Sequence, residues 1–183
     1  MMRRFALVDR DGTINVERDH LTEPDELELI PRSAEALRRM RDELDLGLVV
    51  VTNQAHVGRG LLTAERLEEI HARLCEMLRA EGASVDAIVH CPHRPEDGCG
   101  CRKPAPGMAL EAAARYGFDP TQAFVVGDHA ADVGMGRAIG ATTFLVRTGH
   151  GAEEELRADG LADHVVTDLA SGVDIIATLI AEG

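Results

Sequence analysis

The chain has 183 residues, of which 45% are hydrophobic, so it is long enough for one well-buried domain and too short for two comfortable ones. Its formal net charge of −13 argues against nucleic acid or an anionic membrane as a partner. No apolar stretch reaches the length of a membrane span, and Arg3-Arg4 precedes too few apolar residues for a signal peptide. We therefore expect a single cytoplasmic domain over residues 1–183.

The first predicted strand, residues 5–8, is followed by two carboxylates and a glycine. Asp9 and Asp11 leave the strand end together, and Gly12 allows a sharp turn after them. An acid pair in this place suits phosphoryl chemistry, because one carboxylate can attack phosphorus while the other gives a proton to the departing alkoxide. An ordinary polar junction between strand and loop is the alternative, since Asp and Gly are common turn residues.

Apolar runs of strand length then alternate with segments of helical period. The strands are predicted at 46–51, 86–90, 123–126, 142–146 and 164–166, and the helices at 64–81, 107–116, 130–139 and 172–182. Thr63 is the expected N-cap of the first of these helices, and Gly82 is its expected left-handed stop. The alternation predicts an α/β fold, a Rossmann-like open parallel sheet with helices on both faces.

Polar residues close the later apolar runs as well. Thr52 and Asn53 follow the second run, Asp128 follows the fourth, and Lys103 lies in a loop between them. The carboxyl ends of parallel strands meet at one ligand crevice, so these side chains should gather there. Lys103 is the single lysine among 19 basic residues, which favours a position that a guanidinium does not fit, with chance retention as the alternative.

Three of the four cysteines and one histidine fall in a short segment. The four residues are Cys91, His93, Cys99 and Cys101. Soft and borderline ligands in this ratio suit tetrahedral Zn²⁺ in a closed Cys₃His site, whereas a disulfide, the competing interpretation, is disfavoured in a reducing compartment. With four protein ligands the metal would be structural, and the loop that it staples would hold Arg102 and Lys103 in place.

These motifs together resemble the haloacid dehalogenase-like phosphatases, in their histidinol-phosphatase-like branch. The matching segments, spread over nearly the whole chain, are Asp9-Arg10-Asp11-Gly12-Thr13-Ile14-Asn15, Thr52-Asn53-Gln54, Cys91-Pro92-His93, Cys99-Gly100-Cys101-Arg102-Lys103-Pro104, Gly127-Asp128 and Arg147-Thr148-Gly149. The intervals between them leave no room for the large cap domain that many members carry. Specificity should therefore come from the loops at 15–25, 54–62 and 91–106.

The resemblance implies a Mg²⁺-dependent phosphomonoester hydrolase that works through an aspartyl-phosphate. Asp9 would be the nucleophile, and Asp11 would be the general acid and then the general base. Thr52 and Lys103 would contact the phosphoryl group. Asp9, Asp128 and the backbone carbonyl of Asp11 would hold the Mg²⁺.

The resemblance also implies substrate contacts, which we expect from Asn53, Arg59, Arg102 and His129. Asp132, one helical turn beyond Asp128, is expected to orient Lys103 or a metal-bound water, or else to face solvent. The expected substrate is a small sugar phosphate, with the 7-phosphate of D-glycero-D-manno-heptose 1,7-bisphosphate first and histidinol phosphate as the alternative. The sequence leaves the preferred anomer open.

Departures from the usual pattern concern the substrate loops and leave the chemistry intact. They are Asp19-His20, Ala55-His56 and His129. A phospho-receiver domain is disfavoured, because nothing acidic closes the third apolar run at 87–89. A zinc-binding protein without catalysis is disfavoured because every catalytic position is filled. We expect a monomer whose partner is a small phosphorylated substrate.

Overall fold

In the computed structural model, which describes residues 2–158 and 160–182, six parallel strands form one sheet. The strands are β1 (Phe5–Val8), β2 (Gly47–Asn53), β3 (Ala87–Cys91), β4 (Phe124–Gly127), β5 (Thr142–Val146) and β6 (His164–Val166). Their spatial order is β3-β2-β1-β4-β5-β6, and every pairing is parallel. The α/β fold predicted from the sequence is confirmed.

Helices follow most of the strands and cover the sheet. They are α1 (Ser33–Asp42), α2 (Ala55–Gly58), α3 (Ala64–Ala80), α4 (Gly107–Tyr116), α5 (Ala130–Ala138), α6 (Gly151–Glu154) and α7 (Leu169–Glu182). No bounds were predicted for α1, whose N-cap is Arg32 in a left-handed conformation without a side-chain cap, so the usual start signal is missing. Among the described residues, none of these helices combines the length and the apolar character that a membrane crossing needs.

Side chains alternate along each strand and divide the core into two layers. Ala6 and Val8 of β1 pack with buried residues of α1, α3 and α7. Phe5 and Leu7 point to the opposite face and pack with buried residues of α4 and α5. Because both faces of β1 are covered, its sequence is a continuous apolar run.

The direction of strand progression reverses at β1. Strands β2 and β3 lie on one side of β1, and β4, β5 and β6 lie on the other. Such a switch point leaves a crevice outside the carboxyl ends of the two central strands. Asp9 directly follows β1 and Asp128 directly follows β4, so the fold brings both carboxylates to that crevice.

Strand β2 is longer than predicted. Thr52 and Asn53 were expected just beyond its end, but they are its last two residues and pair with His90 and Cys91 of β3. Pairing with β3 extends the strand, since two further residues find hydrogen-bonding partners there. The polar pair is therefore held by the sheet and does not belong to a loop.

The N-terminus of α3 has the predicted cap, which allows a direct test. The Thr63 hydroxyl accepts a hydrogen bond of 3.1 Å from the backbone N–H of Arg66, and Gly82 follows the helix with φ of 76°. We predict that Thr63→Ala lowers the free energy of unfolding by about 1 kcal/mol, because that N–H loses its acceptor. Urea denaturation measures the change. Thr63→Ser keeps the hydroxyl and is the control, and equal stability of the wild type and Thr63→Ala would contradict the assignment.

Candidate active site

A cavity of about 390 Å³ opens outside the carboxyl ends of β1, β2 and β4. Its lining includes the four side chains predicted to be catalytic and the remaining predicted magnesium ligand, Asp128: the five residues are Asp9, Asp11, Thr52, Lys103 and Asp128. Residues separated by more than a hundred positions in the sequence therefore meet at the crevice that the strand order predicts.

The ammonium group of Lys103 is buried, and each of its three N–H bonds has an acceptor. Nζ donates to Asp9 Oδ1 at 2.7 Å, to Asp132 Oδ1 at 2.6 Å and to the Val51 carbonyl at 2.8 Å. Burial lowers the pKa of Lys103, but Asp132 and Asp9 outweigh burial and raise that pKa above its ordinary value. The side chain therefore stays cationic. Among the expectations for Asp132, the contact to Lys103 matches the one in which Asp132 orients the lysine.

Asp9 is close both to the lysine and to the other acids of the site. Its backbone N–H donates to the Val126 carbonyl at 2.8 Å, which fixes the start of the loop against β4. Burial raises the pKa of the Asp9 carboxyl to about 6, while Lys103 opposes that rise. At neutral pH the carboxylate is therefore mostly ionised, which is the form that can attack phosphorus.

Asp128 is the third acid, and the backbone approaches it closely. Burial, followed by the charges of Asp9 and Asp132, raises the pKa of Asp128 to about 9. Gly12 and Gly149 both have positive φ, and a Cβ on either would overlap the Asp128 carboxylate. Only glycine permits this approach at those two positions.

The oxygen atoms at this point fit a hard divalent cation. Carboxylate oxygens of Asp9, Asp128 and Asp132 lie within 4.8 Å of one another, and Lys103 alone does not neutralise three carboxylates. Within the described residues, the backbone carbonyl of Asp11 accepts no hydrogen bond. An all-oxygen set of this kind is what Mg²⁺ prefers.

Asp11 has surroundings opposite to those of Asp9. Its carboxylate accepts hydrogen bonds from Arg10 at 2.8 Å, Asn15 at 2.9 Å and Gln54 at 2.9 Å. Burial raises the pKa of Asp11, but Arg10 and these hydrogen bonds outweigh burial and hold that pKa below its ordinary value. The free protein therefore favours the base form of Asp11. An arriving phosphate adds negative charge beside the carboxyl and favours the protonated form.

Gln54 also orients Thr52. Its Nε2 donates to Thr52 Oγ1 at 2.8 Å, so the hydroxyl already has a donor partner and its own proton can point toward a ligand. Thr52 is fully buried at the floor of the cavity. No role for Gln54 was predicted from the sequence, because one of its partners, Asp11, is 43 positions away in the loop after β1.

The four predicted substrate-binding residues have different surroundings. Arg102 and His129 line the cavity, and His129 Nδ1 accepts a backbone N–H at the start of α5. Asn53 lines the cavity too, but its amide pairs with the backbone of Lys103 through hydrogen bonds of 3.1 and 3.2 Å. Arg59 is exposed at the end of α2, outside the cavity lining. A direct substrate contact thus fits Arg102 and His129 better than Asn53 or Arg59.

The loops around the mouth bring in residues that sequence reasoning left without a role. Glu17 lines the cavity, and burial, followed by the charges of Asp11 and Asp9, raises its pKa to about 7. His20 and His56 were noted as departures at distant positions, and their ring nitrogens lie 3.1 Å apart. No local sequence pattern predicts that His20 and His56 are neighbours, because their contact depends on where the 15–25 loop meets α2.

The cysteine cluster forms a compact group beside the site. The Sγ atoms of Cys91, Cys99 and Cys101 lie 3.2 to 3.6 Å apart, and His93 Nδ1 lies 3.2 Å from Cys101 Sγ. A disulfide needs about 2.05 Å between sulfur atoms, so none of these pairs is bonded. The four ligand atoms instead lie within 4.8 Å of one another, which is close enough for one tetrahedral metal ion to contact all four.

Comparison with known proteins places these features in a family. The profile of a family described as HAD-hydrolase-like matches residues 100–172. The D-glycero-beta-D-manno-heptose-1,7-bisphosphate 7-phosphatase of Pseudomonas aeruginosa is 41% identical over 152 residues, which cover 82% of this chain and 85% of that protein. The protein of the same name from Bordetella bronchiseptica is 38% identical over 171 residues, covering 92% and 94%.

A solved structure agrees with the fold. The crystal structure of D,D-heptose 1,7-bisphosphate phosphatase from B. bronchiseptica, complexed with magnesium and phosphate, has a TM-score of 0.89 and 36% identity. The match covers 97% of this chain and 99% of that chain. Sequence identity above 30% over most of both chains, together with this shared architecture, means that the chain belongs to the haloacid dehalogenase-like phosphatases, in the family of the heptose-bisphosphate 7-phosphatases.

Proposed function

We propose that this phosphatase removes the 7-phosphate of D-glycero-β-D-manno-heptose 1,7-bisphosphate. The observation that carries the chemistry is the pair of carboxylates with opposite surroundings, Asp9 against Lys103 and Asp11 against Arg10. The names of the two relatives at 41% and 38% identity support the choice of substrate and of the β anomer.

Magnesium is the proposed catalytic cofactor. Asp9, Asp128 and the carbonyl oxygen of Asp11 would hold it, which agrees with the all-oxygen set and with the excess of carboxylates there. Bound Mg²⁺ would neutralise charge on the transferring phosphoryl group. Magnesium in the related B. bronchiseptica crystal structure supports the assignment.

In the first step, an Asp9 oxygen attacks phosphorus and the bond from phosphorus to the sugar oxygen breaks. Asp11 gives its proton to the departing sugar oxygen, which leaves as a hydroxyl group. The Thr52 hydroxyl donates to a phosphoryl oxygen. Lys103 holds Asp9 in place, and its charge stabilises the negative phosphoryl oxygens.

In the second step, water attacks the phosphorus of the aspartyl-phosphate. Asp11, now a carboxylate, takes a proton from that water, and the bond between phosphorus and Asp9 breaks. Phosphate leaves and the Asp9 carboxylate is restored. The hydrogen bonds that lower the pKa of Asp11 favour its return to the ionised form.

Zinc is the proposed structural metal of the cluster formed by Cys91, His93, Cys99 and Cys101. Four protein ligands leave no position for water or substrate, so zinc would act by fixing the loop. Lys103 lies two residues beyond Cys101, and Asn53 ties its backbone to β2 from the other side. The metal and the amide would together hold the lysine at the cavity.

We also infer a single domain over residues 1–183, a monomer, and a cytoplasmic location. One sheet takes strands from Phe5 to Val166, which supports the single domain. The monomer and the location rest on the sequence. Arg102 and His129 are the side chains that we propose for contacts to the sugar phosphate beyond the transferring group.

The first prediction of this function concerns activity. With Mg²⁺, the protein should release phosphate from the β-heptose bisphosphate at a kcat/KM roughly tenfold or more above that for the α anomer or for histidinol phosphate. Asp9→Asn is the matched variant, because it removes the nucleophilic charge and little volume. It should lower kcat on the order of 10³-fold or more.

Phosphate release in coupled colorimetric assays measures both quantities. Histidinol phosphate turned over as well as the bisphosphate would contradict the substrate. An Asp9→Asn protein that keeps more than about a tenth of the wild-type rate would remove Asp9 from the nucleophilic role.

The second prediction uses the buried ammonium group. Lys103→Arg keeps the charge, but a planar guanidinium cannot aim three donors from one atom at Asp9, Asp132 and the Val51 carbonyl. We predict a fall in kcat of roughly 10²-fold, comparable to the loss of one preorganised donor. Steady-state kinetics measures it. Arg73→Lys, the reverse exchange at an exposed position of α3, is the control and should leave kcat nearly unchanged. A Lys103→Arg protein whose kcat stays within threefold of wild type would refute the geometric argument.

The third prediction separates the two metals. Mild chelation should remove Mg²⁺ and activity reversibly, whereas loss of zinc should lower the melting temperature and increase hydrogen exchange in residues 91–106. Elemental analysis of protein purified without added metal should give about one zinc per chain. A zinc-free protein with unchanged activity and melting temperature would exclude the structural role.

A further inference from the structure

A further group of metal-binding side-chain types is shared by α3 and β3, apart from the catalytic site and the cysteine cluster. Its members are Glu68 and His71 of α3 and His90 of β3. One ligand atom from each residue lies within 4.8 Å of the other two. None of the three residues lines the active-site cavity, so the proposed reaction leaves them without a role.

The local geometry of each element brings these three side chains together. Glu68 and His71 are three positions apart in the helix, so they are neighbours on its surface. On β3, successive side chains point to opposite faces of the sheet. His90 therefore points toward α3, whereas Cys91 packs with the core on the α4 side. The strand thus separates this group from the cysteine cluster.

The buried ring of His71 lacks the hydrogen bonds that a buried polar group normally makes. The residue is 5% exposed, and its Nε2 has no partner among the described residues. Its Nδ1 lies 3.8 Å from the Glu68 carboxylate, which is too long for a hydrogen bond. Burial disfavours the charged ring, so one of the two nitrogens keeps a lone pair. A buried polar ring of this kind requires an explanation.

The distances in this group suit a shared ion better than direct contacts. Two ligand atoms that each lie about 2.05 Å from a tetrahedral ion are about 3.4 Å apart, close to the 3.8 Å between His71 Nδ1 and Glu68 Oε1. The ring centroids of His71 and His90 are 5.5 Å apart, and the ring planes are inclined by 55°, so the rings do not stack. Glu68 is exposed and His90 is half-buried, so an ion can enter from solvent.

We propose that Glu68, His71 and His90 bind a Zn²⁺ ion at a site separate from the cysteine cluster. Two imidazoles and one carboxylate suit this borderline ion, whereas Mg²⁺ takes oxygen ligands. Water would complete the tetrahedral shell from the solvent side.

The bound ion would tie α3 to β3, the strand at one edge of the sheet. Because the group lies outside the active-site cavity, the ion would stabilise the fold and take no part in the proposed reaction. With three protein ligands and no thiolate, the site should hold zinc less tightly than the cysteine cluster. It should therefore fill when Zn²⁺ is supplied, and lose the ion during purification without added metal.

Equilibrium dialysis of the full chain against Zn²⁺ tests the proposal. Excess Mg²⁺ keeps the all-oxygen site occupied, and elemental analysis counts the bound zinc at a Zn²⁺ concentration that just saturates the wild type. The wild type should bind one zinc per chain more than Glu68→Gln or His90→Gln. Removing a ligand should weaken the site by at least the roughly 10- to 100-fold that follows loss of a ligand's hydrogen-bonding partner.

Thermal unfolding gives a second measurement. Zn²⁺ at about a hundred times its dissociation constant should raise the melting temperature of the wild type by roughly 5 °C more than that of either variant. Zinc in the cysteine cluster contributes equally to all three proteins, so it cancels in this comparison. Glu68 is exposed, so Glu68→Gln tests the site even if His90→Gln fails to fold.

Matched controls make the same exchanges elsewhere in the chain. Glu111→Gln changes an exposed carboxylate on α4, and His20→Gln breaks the histidine pair at the cavity mouth, whose ring nitrogens are 3.1 Å apart. Both controls should bind as much zinc as the wild type. Equal zinc in the wild type and Glu68→Gln, or the same loss in a control, would overturn the proposal. Failure to hydrolyse the heptose bisphosphate would instead overturn the proposed function, because zinc binding and melting temperature do not depend on that activity.

Discussion

One buried ammonium group connects the parts of the site. Lys103 Nζ contacts Asp9 after β1, the carbonyl of Val51 in β2 and Asp132 in α5, so three separate elements meet at one atom. Burying a charge is unfavourable unless it is paired and hydrogen-bonded. The lysine is fully paired, because each of its three N–H bonds has an acceptor. The acids are not fully paired, because Asp128 adds a further carboxylate beside Asp9 and Asp132. The fold therefore prepares a position that a divalent cation would complete.

The same principle separates the tasks of two acids that are neighbours in sequence. Burial raises the pKa of Asp9, which faces a lysine. Arg10 and the amide donors instead hold the pKa of Asp11 below its ordinary value. In the proposed reaction, these different environments would suit Asp9 to attack and Asp11 to proton transfer. The chain carries a net charge of −13, so attraction of an anionic substrate depends on a few local cations such as Lys103 and Arg102. Bulk charge gives no guide to the potential inside the cavity.

The sequence by itself determined the strands, their order along the chain and the acid pair, because these features are local. A continuous apolar run such as Phe5–Val8 can be read without knowing its neighbours, and the cap at Thr63 depends on a residue three positions away. Lys103 is the only lysine of the chain, and this compositional signal predicted a position that a guanidinium does not fit. The bounds of helix α1 could not be predicted, because its N-cap residue, Arg32, offers no capping side chain.

Tertiary structure alone decided the contacts between distant segments. Thr52 belongs to β2 because it pairs with β3, and His20 contacts His56 because of the path of the 15–25 loop. Nothing local in α3 indicates which residues surround the buried ring of His71, since helical periodicity predicts burial and does not name the partner. Sequence patterns predict which residues are buried. The partners of a buried polar atom depend instead on how strands and helices pack, and packing involves residues far apart in the chain.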